Sequence, residues 1–349
     1  MKNISTIGII GGGQLGRMIC FYAHKMGFKT IVFSDVKNAP ASFVCNKTIV
    51  ASYDDKKALE NFAKKVDIAT FEFENIPFAC AKTVEAKVTL FPKADILKIT
   101  QNRILEKNFL RSIKVETADF AEISSLEELL QNLKKFKKAV LKTTTMGYDG
   151  KGQAVLTNEV DAKKSWQKLQ KQQLILEKFC PFDSEISVMV ARSQNGSIAA
   201  YKPLTNIHKN GILDKSIYPA QISNQMQIKA QNLAKKIAEK IDLVGIMAVE
   251  MFVCGDEILV NELAPRPHNS GHFSMDACIT SQFEQLIRAI CNLPFGETRF
   301  HSAGHMQNLI GDEIELAQEF YKNPKAKIHL YGKAEIKAGR KMGHVNILK

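Results

Sequence analysis

Two glutamates, one lysine and two glycine-rich turns carry most of the chemistry written into this sequence. Residues 249–262 read VEMFVCGDEILVNE, two apolar strands about a Gly-Asp turn. With Gly255-Asp256-Glu257 as a three-residue loop, Cys254 faces Ile258. Counting outward then sets Glu250 directly opposite Glu262 on one face. A four-residue loop would put the two on opposite faces, so the pairing is a statement about register. Like charges directly opposed across a ladder are destabilising, and two carboxylates so placed want a cation between them. Oxygen ligands without His or Cys point to Mg²⁺, which takes one or two carboxylates together with substrate phosphates. A pair of solvated edge glutamates is the plainer reading of the same segment.

Ala139-Val140-Leu141-Lys142 reads as a strand ending in a lysine that needs an anionic partner. It runs into Thr143-Thr144-Thr145-Met146-Gly147-Tyr148-Asp149-Gly150-Lys151-Gly152-Gln153, a flap whose backbone amides are suited to wrapping polyphosphate. The sequence lacks G-x-x-x-x-G-K-[ST], so this is not a Walker A loop, and taken alone it equally suits a plain hairpin turn. The second glycine turn, Gly11-x-Gly13-x-x-Gly16, follows an apolar strand, with Asp35 nineteen residues beyond Gly16. That spacing satisfies the dinucleotide fingerprint, but its physics specifies only an anion at a helix N-terminus. A dinucleotide, another phosphate ligand and simple helix-on-sheet packing all remain open.

The elements that position these residues are legible in outline. Residues 4–10, 30–33, 47–51 and 67–71 read as strands, with a helix bearing Leu15, Met18, Ile19, Tyr22 and Met26 on one face. This is the start of a doubly wound parallel sheet. A helix is expected over 102–112 and another over 125–136, capped by Ser124 with Glu127. Strands follow at 138–142, 153–157, 174–178, 185–192 and 197–201, then an amphipathic helix over 226–241 and the hairpin 246–253/258–263. Ser281 with Glu284 caps a last helix, and 300–349 reads as a small β-rich unit.

The chain has 349 residues, with 48 Lys+Arg against 36 Asp+Glu and a formal charge of +12. Only eight of the basic residues are Arg; the lysines read mostly as solvated surface, and no aromatic–basic stripe supports nucleic-acid binding. Seven singly scattered Cys fit reduced thiols in a cytosol. The N-terminal apolar run reads as a strand and not a signal peptide, and no apolar stretch is long enough to span a bilayer.

The ordered set Arg103, Lys142, the 147–153 flap, Glu177-Lys178-Phe179-Cys180, Glu185, His208, Glu250 and Asn261-Glu262 resembles the ATP-grasp superfamily. Within it, Gly11–Gly16 with Gln14-Leu15, Phe71-Glu72-Phe73-Glu74-Asn75, the flap, and residues 261–272 (NELAPRPHNSGH) resemble the carboxyaminoimidazole ribonucleotide synthase family of purine biosynthesis. The resemblance spans nearly the whole chain. It implies an α/β fold, α+β in part, in three domains. These are a Rossmann-like pre-ATP-grasp domain (1–98), an ATP-grasp domain (99–296) and a small β-rich C-terminal domain (297–349).

The resemblance further implies a homodimer, in the cytoplasm that the cysteine usage already suggests. ATP phosphorylates bicarbonate to carboxyphosphate, which delivers CO₂ to the amine of aminoimidazole ribonucleotide, leaving ADP and phosphate. ATP contacts would come from Arg103, Lys142, Gly147, Tyr148, Asp149, Gly150, Lys151, Gly152, Gln153, Glu177, Lys178, Phe179, Cys180, Glu185, His208, Asn261 and Glu262. Glu250 and Glu262 would hold Mg²⁺, and the ribonucleotide would meet Gln14, Leu15, Arg266, His268, Lys333 and Arg340, with Asp35 and Glu74 beside it. Asp149 is the expected base for the amine, Tyr148 assists it, and Lys142 neutralises transferring phosphate. Thr144-Thr145-Met146 stands where relatives often carry arginine. Other classes are a formate-dependent glycinamide ribonucleotide transformylase and, from the glycine turn alone, an NAD oxidoreductase.

Overall fold

The computed structural model describes residues 4–147 and 152–349; the expectations for Tyr148, Asp149, Gly150 and Lys151 lie outside the described residues. A parallel four-stranded sheet opens the chain: β1 (Thr6–Ile10), β2 (Lys29–Ser34), β3 (Lys47–Val50) and β4 (Ile68–Phe71), in the order β3-β2-β1-β4. Strands β1, β2 and β4 are buried nearly throughout, as strands of a sheet covered on both faces are, whereas the edge strand β3 is half-exposed. Helix Gln14–Lys25 buries Leu15, Met18 and Ile19, and its Tyr22 stacks on Phe283 at 5.8 Å. One core therefore joins Ile7, Ile9 and Met18 to Ile246, Phe283 and Ile287 of the following unit. Each such fully buried side chain contributes about 1.5–3 kcal/mol, enough to fix the two units against each other.

The second sheet is small and antiparallel, β5 (Phe120–Ile123), β6 (Ala139–Thr143), β7 (Gln153–Leu156) and β8 (Leu174–Lys178), in the order β5-β8-β6-β7. Helix Leu126–Phe136 lays Leu129, Leu133 and Phe136 on it. Its cap lies one residue later than the Ser124–Glu127 expectation. Ser125 accepts from the Glu128 amide, and Glu128 accepts from the Ser124 amide. The apolar face decides this, because starting at Leu126 aims Leu129 and Leu133 at the sheet.

The third sheet has nine strands. They are β9 (Ser184–Arg192), β10 (Ile198–Ala200), β11 (Leu204–Lys209), β12 (Ile212–Tyr218), β13 (Gly245–Cys254), β14 (Glu257–Ala264), β15 (Gly304–Ile310), β16 (Ala326–Leu330) and β17 (Lys341–Leu348). Their order is β14-β13-β9-β11-β12-β15-β17-β16, with β10 on β9. The C-terminal strands thus extend the central sheet directly, β12 pairing β15. Helix Asn224–Lys240, capped by Ser223, buries Ala230, Ala234, Ile237 and Ala238.

Candidate active site

The carboxylate pair is present, reached by a different route from the expected one. The hairpin turns on two residues, Gly255-Asp256, so Cys254 pairs with Glu257 and not with Ile258. Gly255 takes a left-handed φ of 58°, and its amide donates to Asp183 Oδ2 at 2.7 Å. That tight turn alone would set Glu250 against Asn261. Between Met251↔Val260 and Glu250↔Glu262 the register slips by one, and Asn261 is the extra residue. The bulge restores the facing glutamates and turns Asn261 out of the ladder, where its Oδ1 is buried without a hydrogen-bond partner.

Two recesses flank this pair. One is lined by Glu262, Arg103, Glu106, Glu74 and residues 144–147; the other by Glu250, Asn261, Glu185, His208 and Asn206. Arg103 Nη1 donates to Glu262 Oε2 at 2.9 Å. Burial and the Glu262 charge push the Glu250 carboxyl up to about 7. At about 5 Å and an effective dielectric of about 20, two such charges repel by about 3 kcal/mol. Among the described residues no three His, Cys, Asp or Glu side chains form a complete metal cage. Two carboxylates and an orphaned amide oxygen are instead the donor set of a hard cation that completes its shell with phosphate.

Lys142 finds its anion in the strand beside it. Its Nζ donates to Glu177 Oε2 at 2.9 Å, and Lys107 Nζ lies 3.5 Å from the other oxygen. Burial alone would raise the Glu177 pKa, but Lys142, Lys107 and Arg103 hold it at about 2. Burial lowers that of Lys142, against the opposing pull of the Glu177 carboxylate. Thr144 is buried and anchors the entrance of the flap: its carbonyl accepts from the Arg103 amide and its amide donates to Gln173 O. Gly152 has φ 72°, and a Cβ there would meet Thr143 Oγ1 at 2.7 Å. Gln153 pairs with Lys142 across β6–β7.

Around the second recess, His208 Nδ1 and Glu185 Oε2 are 2.5 Å apart. Burial opposes protonation of that ring, but the Glu185 carboxylate raises its pKa overall. His268 is pushed well below its ordinary value by burial and by Arg266 and Lys341. Its Nδ1 accepts from the Ser270 amide, which leaves the proton on Nε2, 3.3 Å from Glu250 Oε1. Arg266 pairs with Glu74 through two nitrogens. Lys178 ends β8 and Phe179 opens the connector after it, with Lys138 over the Phe179 ring. Cys180 meets Cys254.

The first glycine turn holds an anion of its own. Glu72, buried after β4, accepts from the Gly13 and Gly16 amides at 2.8 and 3.0 Å; burial pushes its pKa up and those two hydrogen bonds oppose the shift. A Cβ at Gly11 would lie 2.5 Å from Glu72 Cγ. The glycines therefore admit a carboxylate of the chain where the dinucleotide reading places a pyrophosphate. Gln14 and Leu15 form the first turn between those amides. Lys333, in the β16–β17 loop, acts electrostatically on Glu72, and its Nζ donates to Lys341 O at 2.6 Å. Arg340 donates to Glu335 O in the same loop, and Asp35 is exposed at the end of β2. Neither is drawn into these pairs.

Matches to known families cover successive stretches of the chain. Residues 4–101 match a ribonucleotide synthetase pre-ATP-grasp domain, 108–283 an ATP-grasp domain, and 305–349 a phosphoribosylaminoimidazole carboxylase C-terminal domain. An N5-carboxyaminoimidazole ribonucleotide synthase of Bacillus subtilis (strain 168) is 46% identical over 99% of this chain and 92% of its own. The chain belongs to the N5-carboxyaminoimidazole ribonucleotide synthase family. A crystal structure of such a synthetase with ADP superposes with a TM-score of 0.97, at 46% identity, covering 100% of this chain and 94% of that one. A synthase from Aspergillus clavatus, in complex with ADP and 5-aminoimidazole ribonucleotide, gives 0.94 at 29% identity over 100% and 95% of the two chains.

Within this synthase fold, four residues at the site had escaped the sequence reading. Lys107 and Glu106 lie on the buried face of helix Arg103–Ser112, where Glu106 accepts from the Leu263 amide at 2.7 Å. Burial and Glu262 push the Glu106 carboxyl up to about 8. Glu72 fills the turn. Lys341 acts electrostatically on His208, Glu250 and His268. A charged pair in a helix otherwise patterned for a core was the one available signal for Glu106-Lys107.

Proposed function

We propose that this chain is an ATP-dependent carbon–nitrogen ligase that carboxylates aminoimidazole ribonucleotide with bicarbonate, giving carboxyaminoimidazole ribonucleotide, ADP and phosphate in purine biosynthesis. The observation that carries the reading is the bulge-set pair Glu250–Glu262, flanked by Asn261, between one recess that reaches both the flap entrance and Glu74 of the pre-ATP-grasp unit and another lined by Glu185 and His208. Glu250 and Glu262, with Asn261 Oδ1 beside them, would hold Mg²⁺, which would supply charge neutralisation to the polyphosphate.

The chain's own groups account for the rest. Lys142 and Arg103 present positive charge to transferring phosphate, and His208, backed by Glu185, presents another. A bicarbonate oxygen attacks the γ-phosphorus and ADP leaves, forming carboxyphosphate. Its C–O bond breaks to give CO₂ and phosphate, and the amine attacks CO₂ and loses a proton. Asp149 with Tyr148 is our assignment for that proton, and the flap, Gly147 and Lys151 to Gln153 included, excludes water. Glu177 fixes Lys142, while the connector Lys178-Phe179-Cys180 borders the nucleotide. The ribonucleotide meets Gln14, Leu15, Arg266, His268, Lys333 and Arg340, with Asp35 and Glu74 outermost. We read the enzyme as a cytoplasmic homodimer divided near residues 98 and 296, consistent with its scattered reduced thiols.

Coupled ADP release, measured with each substrate omitted in turn, tests the proposal. ADP must depend on both bicarbonate and aminoimidazole ribonucleotide. Stimulation by formate with glycinamide ribonucleotide instead would assign the transformylase activity.

A further inference from the structure

The small sheet β5–β8 joins the central sheet through two connectors, residues 116–119 and 179–183. They start side by side at the edge of the small sheet, where the amide of Lys178, the last residue of β8, donates to Asp119 O. The second connector is tied to the end of the β13–β14 hairpin. Asp183 N donates to Val253 O at 2.8 Å, Asp183 Oδ2 accepts from Gly255 N, and Phe182 stacks on Phe252 at 4.6 Å. One step nearer the small sheet, Cys180 Sγ lies 2.8 Å from Cys254 Sγ at the end of β13. Both side chains are half-buried and both are free thiols. Closing them into a disulfide requires the sulfurs to approach by only about 0.8 Å, to the bonded distance of about 2.05 Å.

We propose that Cys180 and Cys254 form an oxidisable dithiol site that, on oxidation by hydrogen peroxide, staples the connector of the small sheet to the central hairpin and weakens nucleotide binding. A thiolate sulfur attacks a peroxide oxygen, the O–O bond breaks, and the departing oxygen leaves as water after taking up a proton. The resulting sulfenic acid is attacked by the second sulfur. The S–O bond breaks, a second water leaves, and two electrons have passed from the thiols to the peroxide. Burial and the neighbouring Cys254 push the Cys180 thiol up to about 12, so it is a slow nucleophile at neutral pH and the reaction accelerates in alkali. A thiol reductant reverses it. Crosslinking does not depend on the proposed reaction; its effect on ATP rests on that reading.

The test is hydrogen peroxide treatment of the whole protein, followed by thiol counting, peptide mass mapping and the KM for ATP before and after dithiothreitol. The expected result is loss of two of the seven thiols. A crosslinked peptide pair carrying Cys180 and Cys254 should appear, with a several-fold rise in KM that reductant reverses. Cys254→Ser should keep its basal KM and be insensitive to peroxide. Cys180 and Cys254 remaining titratable while other thiols react would overturn the proposal. So would a crosslink that leaves ATP binding unchanged. If the protein turns over no ATP at all, thiol counting and mapping still decide the crosslink, and the functional reading fails separately.

Discussion

Glu250 faces Glu262 across β13–β14 because Asn261 bulges out of the ladder between them. A regular hairpin on the same two-residue turn would have paired Glu250 with Asn261 and aimed Glu262 at the other face. The bulge thus brings two carboxylates onto one face of an ordinary edge, at the cost of holding them together.

That cost predicts opposite effects on folding and on turnover. Glu250→Gln and Glu262→Gln should each reduce kcat by at least about a hundredfold, the scale of losing an electrostatic group at a reacting phosphate. Without divalent cation, Glu250→Gln should be as stable as wild type or more so. A Glu250 carboxyl raised to about 7 binds its proton more tightly in the folded state. Its contribution is therefore lost as pH rises from about 4.5 to about 7, by about 3 kcal/mol at most. Urea denaturation at pH 8, with and without Mg²⁺, reads this directly. A large loss of stability in the apo variant would count against the repulsion argument.

Asn261→Ala should separate ligand binding from folding. Its Oδ1 has no protein partner, so removal costs little stability, within about 1 kcal/mol. The KM for ATP-Mg²⁺ should rise. An unchanged KM with a lowered melting temperature would assign the amide to the fold alone.

Glu177 should behave in the opposite way to Glu250. It is the shared counter-ion of Lys142 and Lys107, with Arg103 close enough to help hold its pKa down. Glu177→Gln leaves buried cations uncompensated and should cost about 3–5 kcal/mol. Because the Glu177 pKa is depressed, its stabilisation is complete above about 4.5 and is lost as pH falls toward about 2. Equilibrium unfolding across that range tests the sign.

A buried histidine stack gives the C-terminal unit an acid limit. His272 and His344 are fully buried with ring centroids 4.6 Å apart, and His329, paired with Asp276, stacks on His344 at 4.5 Å. Burial pushes the His272 and His344 pKa values well below the ordinary one, with His329 adding to the effect on both and Lys341 and Arg266 on His272. Unfolding frees these rings to protonate near pH 6.5, so stability falls as pH drops below that value. Each ring contributes a slope of about 1.4 kcal/mol per pH unit. Glu250 acts in the opposite sense over part of this range, so the difference between wild type and His344→Asn is the decisive profile. Equal slopes would contradict the prediction.

The sequence made the parallel opening sheet, the small antiparallel sheet and the central hairpin legible, because period-2 alternation and helical faces survive any tertiary context. The facing glutamates were also expected, although two departures cancel: the turn is one residue shorter than counted, and the bulge adds one back. Alternation alone does not reveal a bulge, and the lone polar Asn261 was its only mark. Lys142's need for an anion was legible, whereas Lys107 looked like any helix lysine until packing buried it. Glu72 was invisible as the occupant of the glycine turn because the motif describes only the space for an anion. Which anion fills it is a tertiary fact.

The most direct test of the central claim is the fate of oxygen in bicarbonate. Carboxyphosphate formation requires a bicarbonate oxygen to become bonded to the γ-phosphorus, so heavy-oxygen-labelled bicarbonate should yield phosphate carrying one labelled atom per ADP released. Glu250→Gln should abolish the transfer. Phosphate that acquires its oxygen only from water, at an ADP rate indifferent to bicarbonate, would contradict the account.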